Sequence, residues 1–505
     1  MFMYRKEKYI MRASGILLPI TSLPSKYGIG CFSKSAYDFI DILKQSGQKY
    51  WQILPIGPTG FGDSPYQSYS SFAGNPYFID PQTLIREGLL TKKECDGYDF
   101  GESPRYVDYG RIYTSRFHML KIAYERSSIK MDKDFHAFQN KNAFWLENYS
   151  LYMAIKDYHK GESWTAWKND IKFHERSTLE YYYELLEKEI VFYKYIQYLF
   201  TLQWNRLRAY ANKNEISIIG DMPIYVALDS ADIWSDPVLF NLDEELRPIE
   251  IAGCPPDGFS SDGQLWGNPL YRWDIHKRDG YSWWRKRIDY SFQLYDVIRL
   301  DHFKGFDEYF AIPYGDKTAK NGIWKKGPGM EFFQTILKGF KKTDFIAEDL
   351  GEITESVRKL LNDTGYPGMK VLEFAFDSLK DSAYLPHNYN KNCVVYTGTH
   401  DNNTIRGWFD SISQRERTFV IKYINKISDE VESIHWDMIR LAQQSVARLC
   451  IIPLQDYLGL GHEARINSPS TLGHNWKWRM LNGEITQEVI CKIREMTKLY
   501  GRSSW

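Results

Sequence analysis

No apolar stretch in this 505-residue sequence approaches the ~18 residues that a membrane-spanning helix needs. The first apolar run, Gly15–Ile20, is six residues long and already holds Pro19, too short for the core of a secretory leader. Cysteine is scarce. The six present (Cys31, Cys95, Cys254, Cys393, Cys450 and Cys491) lie far apart with no CxxC, which reads as free thiols in a reducing compartment. Charge of one sign is missing as well: Lys plus Arg and Asp plus Glu number 64 each, so the molecule as a whole has no electrostatic reason to bind nucleic acid or an anionic membrane. Low glycine and proline exclude a collagen-like or low-complexity chain, and 43% hydrophobic residues exclude a disordered one. The expectation is a soluble cytoplasmic protein. Aromatics are what it has in plenty. Trp, Tyr and Phe make up 16% of the chain, enough for a core and its seams, with some faces left for sugar rings or bases.

Eight short apolar runs recur with helical stretches between them: Gly15–Ile20, Tyr50–Ile56, Ile216–Ile219, Asp296–Leu300, Phe345–Ala347, Lys370–Phe376, Cys393–Tyr396 and Arg448–Leu454. They are nearly continuous in apolar character, the pattern of strands covered on both faces of a parallel sheet. Eight of them predict an α/β fold, a (β/α)8 TIM barrel with helical and loop insertions. A doubly wound sheet is the competitor. Residues 1–82 read as the first part of the barrel, 83–214 as a largely helical insertion, and 215–505 as the remainder, with loop insertions at 251–274 and 314–329. In the helical part, Leu179, Tyr182, Leu185, Leu186 and Ile190 recur three to four apart, which predicts one amphipathic helix. Met153 and Tyr181–Tyr183 read as packing residues.

Asp221, Asp301, Glu348 and Asp401 each end a separate apolar run, where a barrel gathers residues distant in sequence. Their motifs are GDMPIYV (Gly220–Val226), IRLDHFKGF (Ile298–Phe306), IAEDLG (Ile346–Gly351) and GTHDNNT (Gly398–Thr404). The period of two puts Arg299 and Asp301 on one side of their strand, with Leu300 facing the helices. An arginine there is expected to lower the Asp301 pKa and keep it ionised, as a nucleophile at an anomeric carbon must be, while burial is expected to raise Glu348 toward a general acid. Glycoside chemistry uses such an asymmetric pair. His302 and His400 adjoin the carboxylates and can donate to sugar hydroxyls. Each carboxylate alone reads equally as a helix cap or a solvated group, and Asp349, Asp363 and Asp410 are read that way. Scattered carboxylates and histidines also leave a divalent-ion site open, although no HExxH, calcium loop or Cys/His cluster is present. SLPSKYGIG (Ser22–Gly30) and GPTGFG (Gly57–Gly62) lack nucleotide-loop spacing and read as loops capping the barrel mouth, bringing Tyr66, Gln67 and Asn75 toward a ligand.

With WQILPIGPTGFGDSPYQSYSSFAGNPY, PPDGFSSDGQLWGNPLYRW and LGLGHEARINSPSTLGHNWKWR added, the sequence resembles the 4-alpha-glucanotransferase (amylomaltase) family over essentially its whole length. The resemblance implies a retaining, two-step transfer between alpha-1,4-glucans such as maltooligosaccharides, with no organic cofactor and no required metal. It implies Asp301 as nucleophile, Glu348 as acid and then base, and Asp401 as stabiliser of the distorted sugar. Arg299 would orient Asp301; His302, His400, Asp221 and Tyr66 would contact the sugar. The segment Pro255–Asn268, with Phe259, Trp266 and Asn268, resembles the flap over the acceptor. Asn475 and Trp476 match a late element of structural character. Gly258 in the flap and Ser470 before Thr471 depart from the family pattern. A degenerate relative that only binds glucan is the alternative from another class, and turnover of maltotriose separates the two.

Overall fold

The computed structural model describes residues 12–503 except 61, 257–259, 341–343, 378–381 and 427–432. The strands among the described residues are β1 (Ala13–Leu17), β2 (Tyr50–Gln52), β3 (Ser217–Met222), β4 (Glu250–Cys254), β5 (Gln264–Pro269), β6 (Val297–Leu300), β7 (Glu308–Pro313), β8 (Ile323–Lys326), β9 (Phe345–Ala347), β10 (Gly368–Val371), β11 (Cys393–Tyr396) and β12 (Leu449–Pro453). Eight of them close into a parallel barrel in the order β1-β2-β3-β6-β9-β10-β11-β12, with β12 pairing back onto β1. Every one of the eight apolar runs contributes one barrel strand. Helices surround the barrel, giving a (β/α)8-like fold rather than a doubly wound sheet.

The barrel interior is filled by Leu17, Ile219, Ile346, Met369, Val371, Val394, Tyr396, Leu449 and Ile451. Their neighbours along the strands, such as Ile16, Ile218, Leu300, Val395 and Ile452, belong to the outer core under the helices. Both faces are dry, which is why the runs do not alternate in sequence. Gly220 sits on an outward position where a Cβ would lie 2.2 Å from the Tyr295 ring, so only glycine lets that ring pack on β3. One position further along, the chain presents Asp221 to the opposite side.

Between β2 and β3 two long helices, Lys133–Tyr158 and Glu187–Lys213, pack against each other. The second buries residues on every side in its middle turns, from Phe192 to Phe200. Aromatics form the seams: Phe72 touches Trp145 of the first long helix and Trp283 and Tyr290 of the helix Ser282–Leu294. Met153 and Tyr182 are buried as expected, but Tyr181 and Tyr183 are exposed. The helix expected through Leu179–Ile190 is two helices, Arg176–Leu185 and Glu187–Lys213, parted at Leu186, whose φ of −111° leaves the helical range. Leu185 is thereby turned to solvent.

The segments read as loop insertions contain strands. β4, β5, β7 and β8 form an antiparallel sheet in the order β5-β4-β7-β8, beside the barrel. β5 reads QLWGNP and is half-buried at most along its first four residues, and β8 reads IWKK and is largely exposed, so neither carries the apolar run that marks a buried strand. Cys31, Cys95, Cys393, Cys450 and Cys491 are free thiols.

Candidate active site

Strand register assembles the site. β3 and β6 place Asp221 opposite Arg299, and β6 and β9 place Leu300 opposite Ala347, so Asp301 and Glu348 leave adjacent strands side by side. Backbone bonds fix the exits: Asp301 N–H donates to Met222 C=O at 3.1 Å, and Glu348 N–H to Leu300 C=O at 3.1 Å. His302 then turns into the left-handed region, φ 48° and ψ 53°, an uncommon conformation for a residue with a Cβ. That turn aims its N–H at Glu348 Oε2, 2.6 Å away.

Arg299 is the hub. It is 2% exposed, and its Nη1 donates to both Asp221 oxygens, at 2.7 and 2.6 Å, and to Asp301 Oδ1 at 3.0 Å. Its Nη2 lies 3.0 Å from Glu348 Oε1. Three carboxyls converge on one guanidinium, close enough that the Glu348 charge acts on Asp301. Burial and then the Glu348 charge push the Asp301 carboxyl well above the usual carboxylate range, against the pull of Arg299. Burial also pushes Glu348 up, but Arg299 and the His302 amide outweigh it and hold Glu348 below its ordinary value. This reverses the order expected from sequence. Arg299 spends most of its fork on Asp221 and Glu348 and gives Asp301 a single shared N–H, while Glu348 gains a backbone donor that sequence does not reveal.

The opposite wall comes from the end of β11. Asp401 accepts from Asn467 Nδ2 at 2.6 Å and lies 3.4 Å from His400 Nε2. Burial raises its pKa, but His400 and Asn467 outweigh that and bring it down to about 2. Arg465 braces the turn, donating to the Asp401 carbonyl at 2.6 Å and to the Asn467 carbonyl at 2.7 Å. Tyr66 joins the two walls: its hydroxyl donates to Asp221 Oδ2 at 2.8 Å and lies 2.9 Å from His400 Nε2, with its ring stacked on His400 at 5.2 Å. Trp476 packs on both rings.

The residues singled out from sequence divide by this geometry. Asp221, Tyr66, Arg299, Asp301, His302, Glu348, His400 and Asp401 form one linked set. Trp266 reaches it through the His302 ring, edge to face at 4.8 Å, and burial brings His302 down to about 4, so that ring is neutral. Asn268 is buried with its amide engaged, Nδ2 donating to Val226 C=O and Oδ1 accepting from Gln67, so it ties the loop down. Asn75 accepts from the Tyr77 N–H as a helix cap. Asn475 accepts from Ser468 N–H and donates to Thr471 C=O, holding the late turn. Asp349 accepts from Met369 N–H, away from the mouth. Phe259, with Gly258, lies outside the described residues. Sequence reasoning missed Asn467 and Arg465, which sit in the late motif that was read for its turn alone.

A closed parallel barrel with two carboxyls on one buried arginine at its mouth and a third carboxylate opposite defines the class of glycoside-processing barrel enzymes. The family model described as 4-alpha-glucanotransferase matches residues 18–485, and the chain belongs to that family. The chain is 48% identical to the 4-alpha-glucanotransferase of Clostridium butyricum over 485 residues, 96% of this chain and 99% of that one. It is 45% identical to that of Thermus thermophilus over 496 residues, 96% and 98% of the two chains. Among solved structures, the amylomaltase from Streptococcus agalactiae in complex with acarbose superimposes with a TM-score of 0.94 at 40% identity, over 98% of this chain and all of that one. The protein is an enzyme acting on alpha-1,4-glucans, which it transfers between donor and acceptor chains.

Proposed function

We propose that the transfer runs as a retaining double displacement on maltooligosaccharides, through a covalent glucosyl ester of Asp301. One observation carries the reading: Asp301 and Glu348 leave adjacent strands and reach the same guanidinium, Asp301 Oδ1 3.0 Å from Arg299 Nη1 and Glu348 Oε1 3.0 Å from Nη2. Two carboxyls sharing one guanidinium fit the close pair, ~5–5.5 Å apart, of a covalent mechanism better than the ~6.5–9.5 Å gap that holds the attacking water of an inverting one.

In the first step an Asp301 carboxylate oxygen bonds to the anomeric carbon, the bond to the leaving O4 breaks, and the Glu348 proton goes to that O4. In the second, the acceptor O4 gives its proton to Glu348 and attacks the anomeric carbon, and the Asp301 ester bond breaks. The cycle needs one proton, on Glu348, with Asp301 ionised. Donor binding must therefore reverse the order in which the two carboxyls are driven, and the sugar oxygen arriving at Glu348 supplies the acceptor that draws a proton there. Arg299 stabilises the carboxylate of either member. Asp401, ionised down to about pH 2, faces the cationic sugar as a fixed anion and hydroxyl acceptor. With a guanidinium already at the convergence of Asp221, Asp301 and Glu348, no metal is needed there. The free thiols support a reducing, cytoplasmic location.

Maltotriose tests the reading. Products both longer and shorter than the substrate, together with a glucosyl adduct on Asp301 in a trapped enzyme, are expected. Shorter products alone mean hydrolysis, and an adduct on another residue moves the nucleophile.

A further inference from the structure

Beside His400 lies a cavity of about 10 Å³, the space one water needs. His400, Gln455, Asp456, Arg465, Asn402 and Thr404 are among its walls. Two buried polar atoms of these residues, His400 Nδ1 and Gln455 Oε1, make no hydrogen bond to the protein. Buried polar atoms are rarely left so.

Gln455 Oε1 is an acceptor by geometry: its Nε2 donates to the Ala464 carbonyl at 3.2 Å, and a carbonyl can only accept, so the amide cannot be flipped. On the other residue the argument runs through Tyr66. Its one hydroxyl proton goes to Asp221, which is bound by Arg299 as a carboxylate and only accepts. The Tyr66 oxygen must therefore accept from His400 Nε2, 2.9 Å away. In a ring that carries one proton, that bond places it on Nε2 and leaves Nδ1 a bare lone pair. Two acceptors on residues that line one water-sized cavity call for a molecule with two donors.

We propose that a buried water donates to both His400 Nδ1 and Gln455 Oε1, and that Gln455 is thereby a positioning residue that holds His400 in the Nε2–H tautomer. The chain of donors then runs in one direction, from water to His400, from His400 to Tyr66, and from Tyr66 to Asp221. It leaves the His400 Nε2–H between the Tyr66 oxygen and Asp401. The effect on turnover rests on the reading of Asp401 and His400 as sugar-binding groups; the tautomer does not.

The experiment is ring-nitrogen NMR of histidine-labelled full-length protein at pH 7.5, with the His400 signals assigned by loss in His400→Gln, beside kinetics on maltotriose. Wild type should show Nε2 protonated and Nδ1 as a hydrogen-bonded acceptor. Gln455→Met removes Oε1 and should shift the Nδ1 signal toward a free acceptor, lowering kcat/KM about tenfold, the loss of one hydrogen bond's worth of positioning. Gln455→Glu is the control. Burial together with the adjacent Asp456 keeps that carboxyl protonated, so its O–H serves Ala464 and its C=O serves the water; the His400 signals and kcat/KM should return to within about threefold of wild type. A protonated Nδ1 in wild type overturns the proposal, as does an equal loss in both variants with the His400 signals unmoved, which would reduce Gln455 to a tie for Ala464. Should Gln455→Met fail to fold, the wild-type tautomer and Gln455→Glu still decide. A failure of the Asp301 assignment would leave the ring-nitrogen result untouched.

Discussion

Two aspartates of one site, Asp301 and Asp401, are driven in opposite directions by the walls that hold them. The Arg299 wall is crowded: three carboxyls share one buried guanidinium, and Asp301 ends with its pKa well above the ordinary range. The His400 wall has one carboxylate, an amide donor and an imidazole, and Asp401 falls to about 2. Burial raises both. What separates them is competition for donors. Asp301 divides Arg299 with two other acids, whereas Asp401 receives Asn467 outright. Rationing of hydrogen-bond donors drives two buried aspartates of one site to opposite sides of the ordinary carboxylate range.

The comparison breaks most completely at Asp301. Asp301→Asn should fold normally and lose transfer by more than the ~10²–10⁴-fold that general acid catalysis alone contributes, since an amide cannot carry the ester. Activity within tenfold of wild type on maltotriose would remove Asp301 as nucleophile.

Glu348→Gln should cost about 10²–10⁴-fold on maltotriose. A nitrophenyl maltoside, whose leaving group needs no proton, should recover its first step in a burst assay. Equal losses on both donors would shift the acid elsewhere, with Asp349 the first alternative despite its bond to Met369.

The quieter wall is sharpened by Asn467→Ala. A charged hydrogen bond is worth ~1.5–3 kcal/mol, so kcat/KM should fall roughly ten- to a hundredfold if the bond is fully used in the transition state. Loss of a donor destabilises the anion, so the Asp401 pKa should rise from about 2 toward 3.8, and the acid limb of kcat/KM should move to higher pH. An unmoved limb would mean that His400 alone sets the value.

The smallest effect is expected from chelation. Dialysis against EDTA and assay in metal-free buffer should change activity by less than a factor of two. A loss restored by calcium or magnesium would place a cation among carboxylates here assigned to Arg299.

The barrel strands were legible because burial on both faces writes itself into sequence as an unbroken apolar run. The carboxylates were legible for the same reason, each being the polar residue that ends a run. The antiparallel sheet β5-β4-β7-β8 was not, because half-exposed strands such as β8 bear no such mark. The pKa order of Asp301 and Glu348 was misread because it depends on a backbone N–H, that of His302, turned by a left-handed residue. Side-chain identities do not report which amide points where. Asn467 was hidden by distance, since 66 residues separate it from the carboxylate it serves.

Closure of the barrel by β12 against β1 has a consequence in time. Ala13 finds its partner Leu449 only 436 residues later in the chain. At ~5–20 residues per second of synthesis, the first strand waits roughly 20–90 s with a single neighbour, β2, and one bare edge. The nascent chain thus carries a sticky margin for most of its manufacture. Every catalytic carboxylate has left the ribosome before the last stave arrives to make the barrel whole.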